Sequence, residues 1–450
     1  MPADEPIDVQ QFIDARGLSH VQVLLLVLCF LVVALDGFDI AAIGFIAPAL
    51  RTEWGTTPAQ LAPLFGAGLF GLMIGAFAFG PLADRLGRRA ILALTVLFFG
   101  MASLASALTP SIGLLTLLRF VTGLGLGGAL PNAITLASEY CPEGRRSFLV
   151  SIVISSFGVG AALGGVASAH LIAAYGWRSV LVLGGVLPLL LAPVLWVILP
   201  ESVLFLVMRG DRDARVAATL RRIIPDTVIP AGKRFVGARS PGQLAVGELF
   251  RPELLVGTLF LWLTFFMSLL VFYLVTSWLP TLIHSTGVSL KTASLVATMF
   301  LGGGVLGGVT LGRIMDKFDP HRVLGLAYAL AGVFIIAIGN VATVPWLMAL
   351  AVFGAGFCAA GGQIGINALA AAYYPTTSRA TGVSWATGVG RLGSVLGSML
   401  GGVLLSPGRQ LSTILAIVAV PAFVAAASML AMGRLRAPAP ARSAEAGAPG

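Results

Sequence analysis

Gly80-Pro-Leu-Ala-Asp84-Arg85-Leu-Gly87-Arg88-Arg89 is a short charged loop between two long apolar runs, and the chain contains it twice. A shorter copy, Gly312-Arg-Ile-Met-Asp316-Lys317, begins 232 residues later. Two more pairs recur at an offset of 233: Tyr140-Cys-Pro142 with Tyr374-Pro375, and Gly160-Ala-Ala-Leu-Gly164 with Gly393-Ser-Val-Leu-Gly397. Three matches at nearly one offset indicate two related halves. The paired glycines favour close approach of helix backbones.

The composition requires lipid as the solvent of this chain. Of its 450 residues, 57% are hydrophobic and only 10% are charged, whereas soluble domains carry about 25% charged residues. A membrane-spanning helix needs roughly 20 mostly apolar residues. Runs of this kind predict an all-α membrane protein with twelve transmembrane helices, at 22–46, 59–80, 90–108, 112–137, 148–172, 179–199, 254–283, 292–312, 323–342, 345–371, 381–405 and 411–432.

The basic residues predict the orientation. With a cytoplasmic N-terminus, 22 of the 28 Lys and Arg residues fall in inside segments and four fall in outside loops. Cytoplasmic loops are enriched in Lys and Arg, so both termini are predicted to be cytoplasmic. The net charge of +9 is therefore distributed over short loops, which argues against a nucleic-acid partner. The acidic start of the chain differs from a cleavable signal peptide, which has a basic start.

The apolar runs and the polar segments between them predict five parts of the chain. Two six-helix bundles are separated by a polar, basic linker, in which a short surface helix is expected near 210–223. The tail is rich in Ala, Pro and Gly and is expected to be disordered. The predicted parts are a cytoplasmic N-terminal segment (1–21), the first bundle (22–199), the linker (200–252), the second bundle (253–432) and the tail (433–450).

Four ionisable residues lie well inside apolar runs: Asp36, Asp39, Arg119 and Arg391. Each costs about 2.5–3.5 kcal/mol at the centre of a bilayer, so each is expected to face the bundle interior or a wet cavity. Asp36 and Asp39 share one helix face, and two carboxylates in a low dielectric do not both ionise readily. Such a pair can bind and release a proton. The alternative is that Gly37 breaks the helix and the aspartates cap the break.

The two arginines have different expected roles. Arg391 lies in a glycine-rich stretch and is the first candidate for the carboxylate of an organic anion, because a guanidinium binds carboxylate as a fork. Arg119 either binds substrate or pairs with an aspartate of the first helix, and the sequence leaves both choices open. The three cysteines are far apart, so neither a metal site nor a cofactor is expected.

The charged loop predicts a gate at the cytoplasmic edge. A salt-bridge latch of this kind would stabilise the outward-open state, whereas charges that only set topology would explain the arginines but not the spaced glycines. Glu139 is expected to be a gate or loop contact, and Asp316 belongs to the second copy of the loop. The predicted gating residues are Gly80, Asp84, Arg85, Gly87, Arg88, Arg89, Glu139 and Asp316.

The motifs also carry a family resemblance. The loop at 80–89 resembles the signature of the major facilitator superfamily, and the resemblance covers nearly the whole chain. Leu35-Asp36-Gly37-Phe38-Asp39, followed by Gly44-Phe-Ile-Ala-Pro48, is similar to the aromatic acid:proton symporter family, and Pro200-Glu201-Ser202 and Gly390-Arg391 resemble its 4-hydroxybenzoate and protocatechuate members. This resemblance implies proton coupling by Asp36, Asp39 and Arg119. It implies substrate binding by Arg391, Arg119, Phe38 and Trp385.

The prediction is a proton symporter that imports small aromatic carboxylates through a bacterial inner membrane, acting as a monomer. Other substrates in the same architecture remain open, including another organic anion, a sugar or a drug exported by proton antiport. Gly164 is followed by glycine rather than by the proline of drug antiporters, which counts against export. A transporter-derived chemoreceptor is a further alternative. An enzyme is not expected, because the sequence has no nucleophile–base pair or phosphate loop.

Overall fold

The structure is a computed structural model. It describes residues 7–14, 17–209, 213–223, 235–236, 246–341, 344–375, 378–405 and 409–435. The tail beyond residue 435, for which the composition predicts disorder, lies outside the described residues, as do parts of the linker between the bundles.

The described residues form twelve long helices, as predicted. Eleven are long and apolar enough to cross a membrane. The remaining one, α11, is a continuous helix of similar length, but glycines and Arg391 interrupt its apolar sequence. The helices are α1 (His20–Trp54), α2 (Pro58–Leu86), α3 (Arg88–Ala107), α4 (Ile112–Tyr140), α5 (Glu143–Tyr175), α6 (Arg178–Ile198), α7 (Pro252–His284), α8 (Leu290–Met315), α9 (Pro320–Asn340), α10 (Pro345–Tyr373), α11 (Arg379–Leu404) and α12 (Leu411–Leu435).

Several helices extend beyond the predicted apolar runs because polar caps, rather than hydropathy, set their ends. Ser19 begins α1 with a capping box, in which its hydroxyl accepts from the Gln22 N–H and the Gln22 side chain accepts from the Ser19 N–H. Thr57 and Gln60 do the same for α2. Each box satisfies two backbone donors that the first turn leaves unpaired. Gly55, with a φ of 61°, ends α1 in the left-handed conformation that glycine adopts without strain.

The internal repeat is visible in the packing of the two bundles. Gly160 of α5 lies against the carbonyl of Ala34 in α1, where a Cβ atom would overlap the carbonyl oxygen. Gly393 of α11 lies in the same way against the carbonyl of Phe266 in α7. Ala34 and Phe266 are themselves 232 residues apart, which is the offset of the charged loop. The repeated glycines therefore build equivalent helix contacts in both halves.

The two halves close against each other on the extracellular side. Gly44 of α1 packs on the Thr276 carbonyl of α7, and the Phe65 and Trp278 rings lie 4.9 Å apart. At the cytoplasmic ends, by contrast, Asp84 and Asp316 are both exposed. The halves are therefore packed together at their extracellular ends in this structure.

The N-terminal segment and the linker pack together beneath the first half. Strands β1 (Ile7–Asp8) and β2 (Phe235–Val236) pair in parallel, with Ile7 opposite Phe235. The other short elements are the helices Val9–Asp14, Val203–Met208 and Asp213–Ile223 and a 3-10 turn at Val246–Phe250. Buried residues of the first three of these helices join one hydrophobic cluster with the cytoplasmic ends of α1 and α4. The described linker up to Val236 is thus part of the core of the first half, whereas Leu249 packs in the core of the second half. A helix does form in the range expected from sequence.

Candidate functional site

The centre of the first half holds a buried ion pair between two helices. Asp39 of α1 and Arg119 of α4 are each 3% exposed, and the arginine Nη1 lies 3.0 Å from Asp39 Oδ2. The Ser103 hydroxyl donates to Asp39 Oδ1 at 3.0 Å, and Arg119 Nη2 donates to the Thr122 hydroxyl at 2.8 Å. Both carboxylate oxygens are therefore satisfied. Of the two roles that the sequence leaves open for Arg119, the structure places it in the pair with an aspartate.

Asp36 lies one turn before Asp39 and has different surroundings. It is fully buried, and neither of its carboxylate oxygens has a hydrogen-bond partner among the described residues. It interacts electrostatically with Arg391 of the second half and with Asp39. A buried polar group without a partner costs about 1–3 kcal/mol, so it calls for a functional explanation. The helix α1 runs unbroken through Gly37, so the aspartates do not cap a helix break.

The second half contributes Arg391 and Tyr273 to the same region. Arg391 of α11 is partly buried and donates through Nη1 to the Tyr273 hydroxyl of α7 at 3.4 Å. Tyr273 is 4% exposed and also interacts electrostatically with Asp36. Arg391 and Tyr273 of the second half are thus hydrogen-bonded to each other, and both are near enough to Asp36 of the first half to interact with its charge. This arrangement can respond to movement of the halves, since its members belong to different halves.

A small cavity lies beside the Asp39–Arg119 ion pair and Tyr273. Its volume is about 30 Å³, and it is lined by both halves, including Asp39, Arg119, Tyr273, Thr276 and Ser277. This volume accommodates water but not an aromatic ring, because a cavity that binds benzene measures about 150 Å³.

Two residues predicted to bind substrate lie elsewhere. Phe38 is 6% exposed, and its ring packs between Gly164 of α5 and Gly184 of α6, inside the first half. Trp385 is 46% exposed on the same face of α11 as Leu392, and it stacks on Trp262 at 6.0 Å. Helical periodicity turns this face away from that of Arg391. Phe38 thus packs within the first half, and Trp385 lies on a different face of α11 from Arg391. Their role in substrate binding stays a prediction.

The charged loop is tied to its own half rather than to the opposite half. Arg88 forms an ion pair with Glu139 at the end of α4 and lies 3.6 Å from Asp84. Glu139 also accepts a hydrogen bond from the Ser202 hydroxyl. Arg85 and Asp84 are exposed. In this conformation the cluster joins α2, α3 and α4 to the segment after α6.

The carboxylate of Glu201 explains why position 87 of the loop is a glycine. This carboxylate accepts from the backbone N–H groups of Arg89 at 3.1 Å and Ser202 at 3.0 Å. Gly87 has a φ of 105° and lies against this carboxylate, so a side chain would clash and strain the backbone. Gly80 has open space around its Cα, so no equivalent packing reason applies to it. Arg89 completes the cluster by donating to the Trp196 carbonyl.

Sequence reasoning missed two neutral partners of the buried charges. Ser103 and Thr122 carry no distinctive pattern in the sequence, and each lies on an apolar helix. One signal was available for Thr122, which follows Arg119 by three residues and therefore shares its helix face. Among the described residues, no group of three or more His, Cys, Asp or Glu side chains could hold a metal ion.

The fold and the buried charges define a secondary transporter, in which two six-helix halves enclose ionisable residues at their interface. The chain belongs to the Major Facilitator Superfamily, whose model matches residues 29–290 and 261–450. It is 47% identical to the 4-hydroxybenzoate transporter PcaK of Pseudomonas aeruginosa, over 96% of this chain and 97% of that protein. It is 45% identical to the gallate transporter of Pseudomonas putida, over 97% of each chain.

Solved structures share the fold at low sequence identity. The inward-open xylose transporter XylE from E. coli aligns with a TM-score of 0.72 at 18% identity, covering 91% of this chain and 95% of that one. An inward-facing bacterial homologue of the human lysosomal transporter Spinster aligns with a TM-score of 0.71 at 19% identity, covering 93% and 98%. The prediction of a transporter rather than an enzyme is confirmed by these relatives and by the family.

Proposed function

We propose that this protein imports small aromatic carboxylates, of the 4-hydroxybenzoate or gallate type, by proton symport through a bacterial inner membrane. The observation that carries the proposal is the set of charges inside the apolar helices, in a chain similar over nearly its full length to transporters named for these acids. Asp36, Asp39 and Arg119 are buried, and Arg391 is partly buried. The proposal also takes the monomer as the working unit, because one chain supplies both halves of the site.

Proton binding is proposed to occur on the aspartates of α1. Protonation of Asp39 would remove its charge from the pair with Arg119 and so weaken the link between α1 and α4. Both carboxylate oxygens of Asp36 are buried and accept no hydrogen bond from the described chain. Protonation of Asp36 removes the energetic cost of burying its unpaired charge. The two acids lie on one helix, so a change in one alters the electrostatic field at the other.

Substrate binding is proposed to occur at Arg391. Its guanidinium has a single hydrogen bond to protein in the described chain, at 3.4 Å to Tyr273, and can offer further N–H donors to a carboxylate. Arg391 also interacts with Asp36, which competes with the substrate for its charge. Protonation of Asp36 ends this competition. Proton and anion therefore favour each other's binding, which is the coupling that symport requires.

Co-transport of a proton also removes an energetic barrier. Import of one anion against an inside-negative membrane potential costs about 2.3 kcal/mol per 100 mV. One proton carried with one anion makes the step electroneutral, and the pH gradient then contributes to accumulation. In the outward-open state, the exposed Asp84, Arg85 and Asp316 are proposed to contact across the cytoplasmic ends of the halves and to act as the gate.

Uptake of radiolabelled 4-hydroxybenzoate into proteoliposomes tests this function. An imposed inward proton gradient should drive accumulation by the wild type. Asp36→Asn should lose the gradient-driven accumulation while it still binds the ligand, because the amide keeps the shape of the neutral acid but cannot exchange a proton. Glu248→Gln is the matched control, since Glu248 forms a surface pair with Arg251 and should transport normally. A folded wild type that takes up neither 4-hydroxybenzoate nor gallate would contradict the aromatic-acid assignment.

A further inference from the structure

A second cavity lies on the extracellular side, beyond the closed contact between the halves. It measures about 730 Å³ and is formed by the ends of α1, α2, α7 and α11. The first half contributes Arg51 and Thr56, and the second half contributes Thr281 and His284. The packing of Gly44 on α7 and of Phe65 on Trp278 separates it from the buried charges. It is therefore distinct from the small cavity beside the Asp39–Arg119 ion pair.

Several polar atoms around this cavity are buried without a partner in the described chain. Thr281 is 1% exposed and Thr56 is 8% exposed, and the hydroxyl of each has no hydrogen-bond partner. The Nε of Arg51 is likewise buried and unbonded, and Arg51 forms no ion pair with a described residue. Buried polar groups are nearly always hydrogen-bonded in native proteins. The lining of the cavity thus combines a cation with hydroxyl-bearing residues of both halves.

The charge of the cavity selects an anion. None of its described lining residues is acidic, while Arg51 is cationic. Glu53, which is near Arg51 in the sequence, is already engaged by Arg178 at 2.6 Å and by the Trp177 indole at 2.7 Å. His284 places its Nδ1 2.9 Å from the Val288 carbonyl, so this nitrogen is the protonated one. A guanidinium flanked by hydroxyl donors is suited to a carboxylate.

We propose that this cavity is an extracellular binding site for a small aromatic carboxylate, held by Arg51 with the hydroxyls of Thr56 and Thr281. The choice of this ligand rests on the proposed function. Pro48, Ala59 and Leu405 supply apolar walls for the ring, and the volume lies in the ordinary range of ligand pockets, about 300–1,000 Å³. Because both halves contribute donors, the site exists in the conformation in which their extracellular ends are packed together.

Protection of an introduced cysteine tests the site without any measurement of transport. Ser285 lines the cavity and is exposed, whereas the native cysteines Cys29, Cys141 and Cys358 are buried, so Ser285→Cys should be the residue that a membrane-impermeant maleimide labels. Millimolar 4-hydroxybenzoate should slow this labelling, and 4-hydroxybenzyl alcohol, which lacks the carboxylate, should not. Lys291→Cys is the control, because it is exposed on the same side but outside the cavity.

Variants assign the protection to the proposed donors. In the Ser285→Cys background, Arg51→Gln should raise the half-protecting concentration by about tenfold or more, the scale of a charge-assisted hydrogen bond. Thr281→Val should raise it by a smaller factor, and it serves as the second test if Arg51→Gln is unstable. Labelling that 4-hydroxybenzoate does not affect, or protection that survives both substitutions, would overturn the site. Protection without uptake in proteoliposomes would retain the site and reject the proposed function.

Discussion

Loss of the Asp39 charge is expected to destabilise the first half strongly. The carboxylate and the Arg119 guanidinium lie 3.0 Å apart and are almost fully buried, so Asp39→Asn leaves an arginine without a counter-charge. Removing one partner of a buried pair typically costs about 3–5 kcal/mol. Ser103 can still bond the new amide, but it cannot replace the charge. Arg119→Gln should cost a similar amount, because it leaves Asp39 with the Ser103 hydroxyl as its bonding partner.

The double variant Asp39→Asn/Arg119→Gln measures the pair itself. Two amides can bond each other without a buried charge, so the double variant should be more stable than the sum of the single effects predicts. The difference should be about 1–3 kcal/mol, the range found for residues in direct contact. Glu53→Gln is the matched control on the same helix, since its pair with Arg178 is 44% and 41% exposed at the side chains. Such surface pairs contribute about 0–1 kcal/mol.

The buried thiols provide the assay. Cys29 lies in α1 and Cys141 directly follows α4, so both report on the helices that carry the ion pair. A fluorogenic maleimide reacts with them as heating unfolds the purified protein. Each single variant should lower the midpoint of unfolding by roughly 10 °C on the scale of domains of about 200 residues. Single variants as stable as the wild type, or additive losses in the double variant, would refute the buried pair.

Three further predictions concern the substrate, the helix packing and the gate. Arg391→Lys should weaken equilibrium binding of 4-hydroxybenzoate by about tenfold or more, because an ammonium lacks the fork that binds carboxylate; an unchanged affinity would remove Arg391 from the site. Gly160→Leu should lower the unfolding midpoint by several degrees in the thiol assay, because the new side chain overlaps the Ala34 carbonyl. Gly113→Ala should leave the midpoint unchanged, because the space around Gly113 is open. Equal stability of the two variants would contradict the packing. Glu139→Gln should speed hydrogen–deuterium exchange in residues 80–89, because it breaks the ion pair that holds this loop; unchanged exchange would show that the loop is held by other contacts.

At the cytoplasmic edge, some features of the charged loop could be predicted from the local sequence and others could not. The spacing of Gly80 and Gly87 predicted a role beyond topology, and the structure supplies a reason for Gly87, which has positive φ and lies against Glu201. The sequence could not name Glu201 as the partner, because it lies more than 100 residues away on the segment after α6. The gating role of the loop stays a prediction, since this conformation shows its contacts within one half.

Aromatic residues illustrate why a motif does not locate a side chain in space. Phe38 stands between Asp36 and Asp39 in the sequence, yet its ring points to α5 and α6. A helix turns by about 100° per residue, so a neighbour of a site residue normally faces elsewhere. Trp385 is likewise less than two turns from Arg391 but lies on another face of α11. The family resemblance implied that Phe38 and Trp385 bind substrate, whereas helix rotation decides which rings can face the site.

The sequence by itself determined the class of the protein. Its apolar runs fixed twelve helices, its basic loops fixed their orientation, and its repeat fixed two equivalent halves, because each depends on composition or on local spacing along the chain. It also identified the four buried charges, since a bilayer makes any charge inside an apolar run conspicuous. Only the tertiary structure decided that Arg119 pairs with Asp39, while Asp36 lies near Arg391 and Tyr273 of the other half. Those choices depend on helix rotation and on the contact between the halves, which no local pattern records.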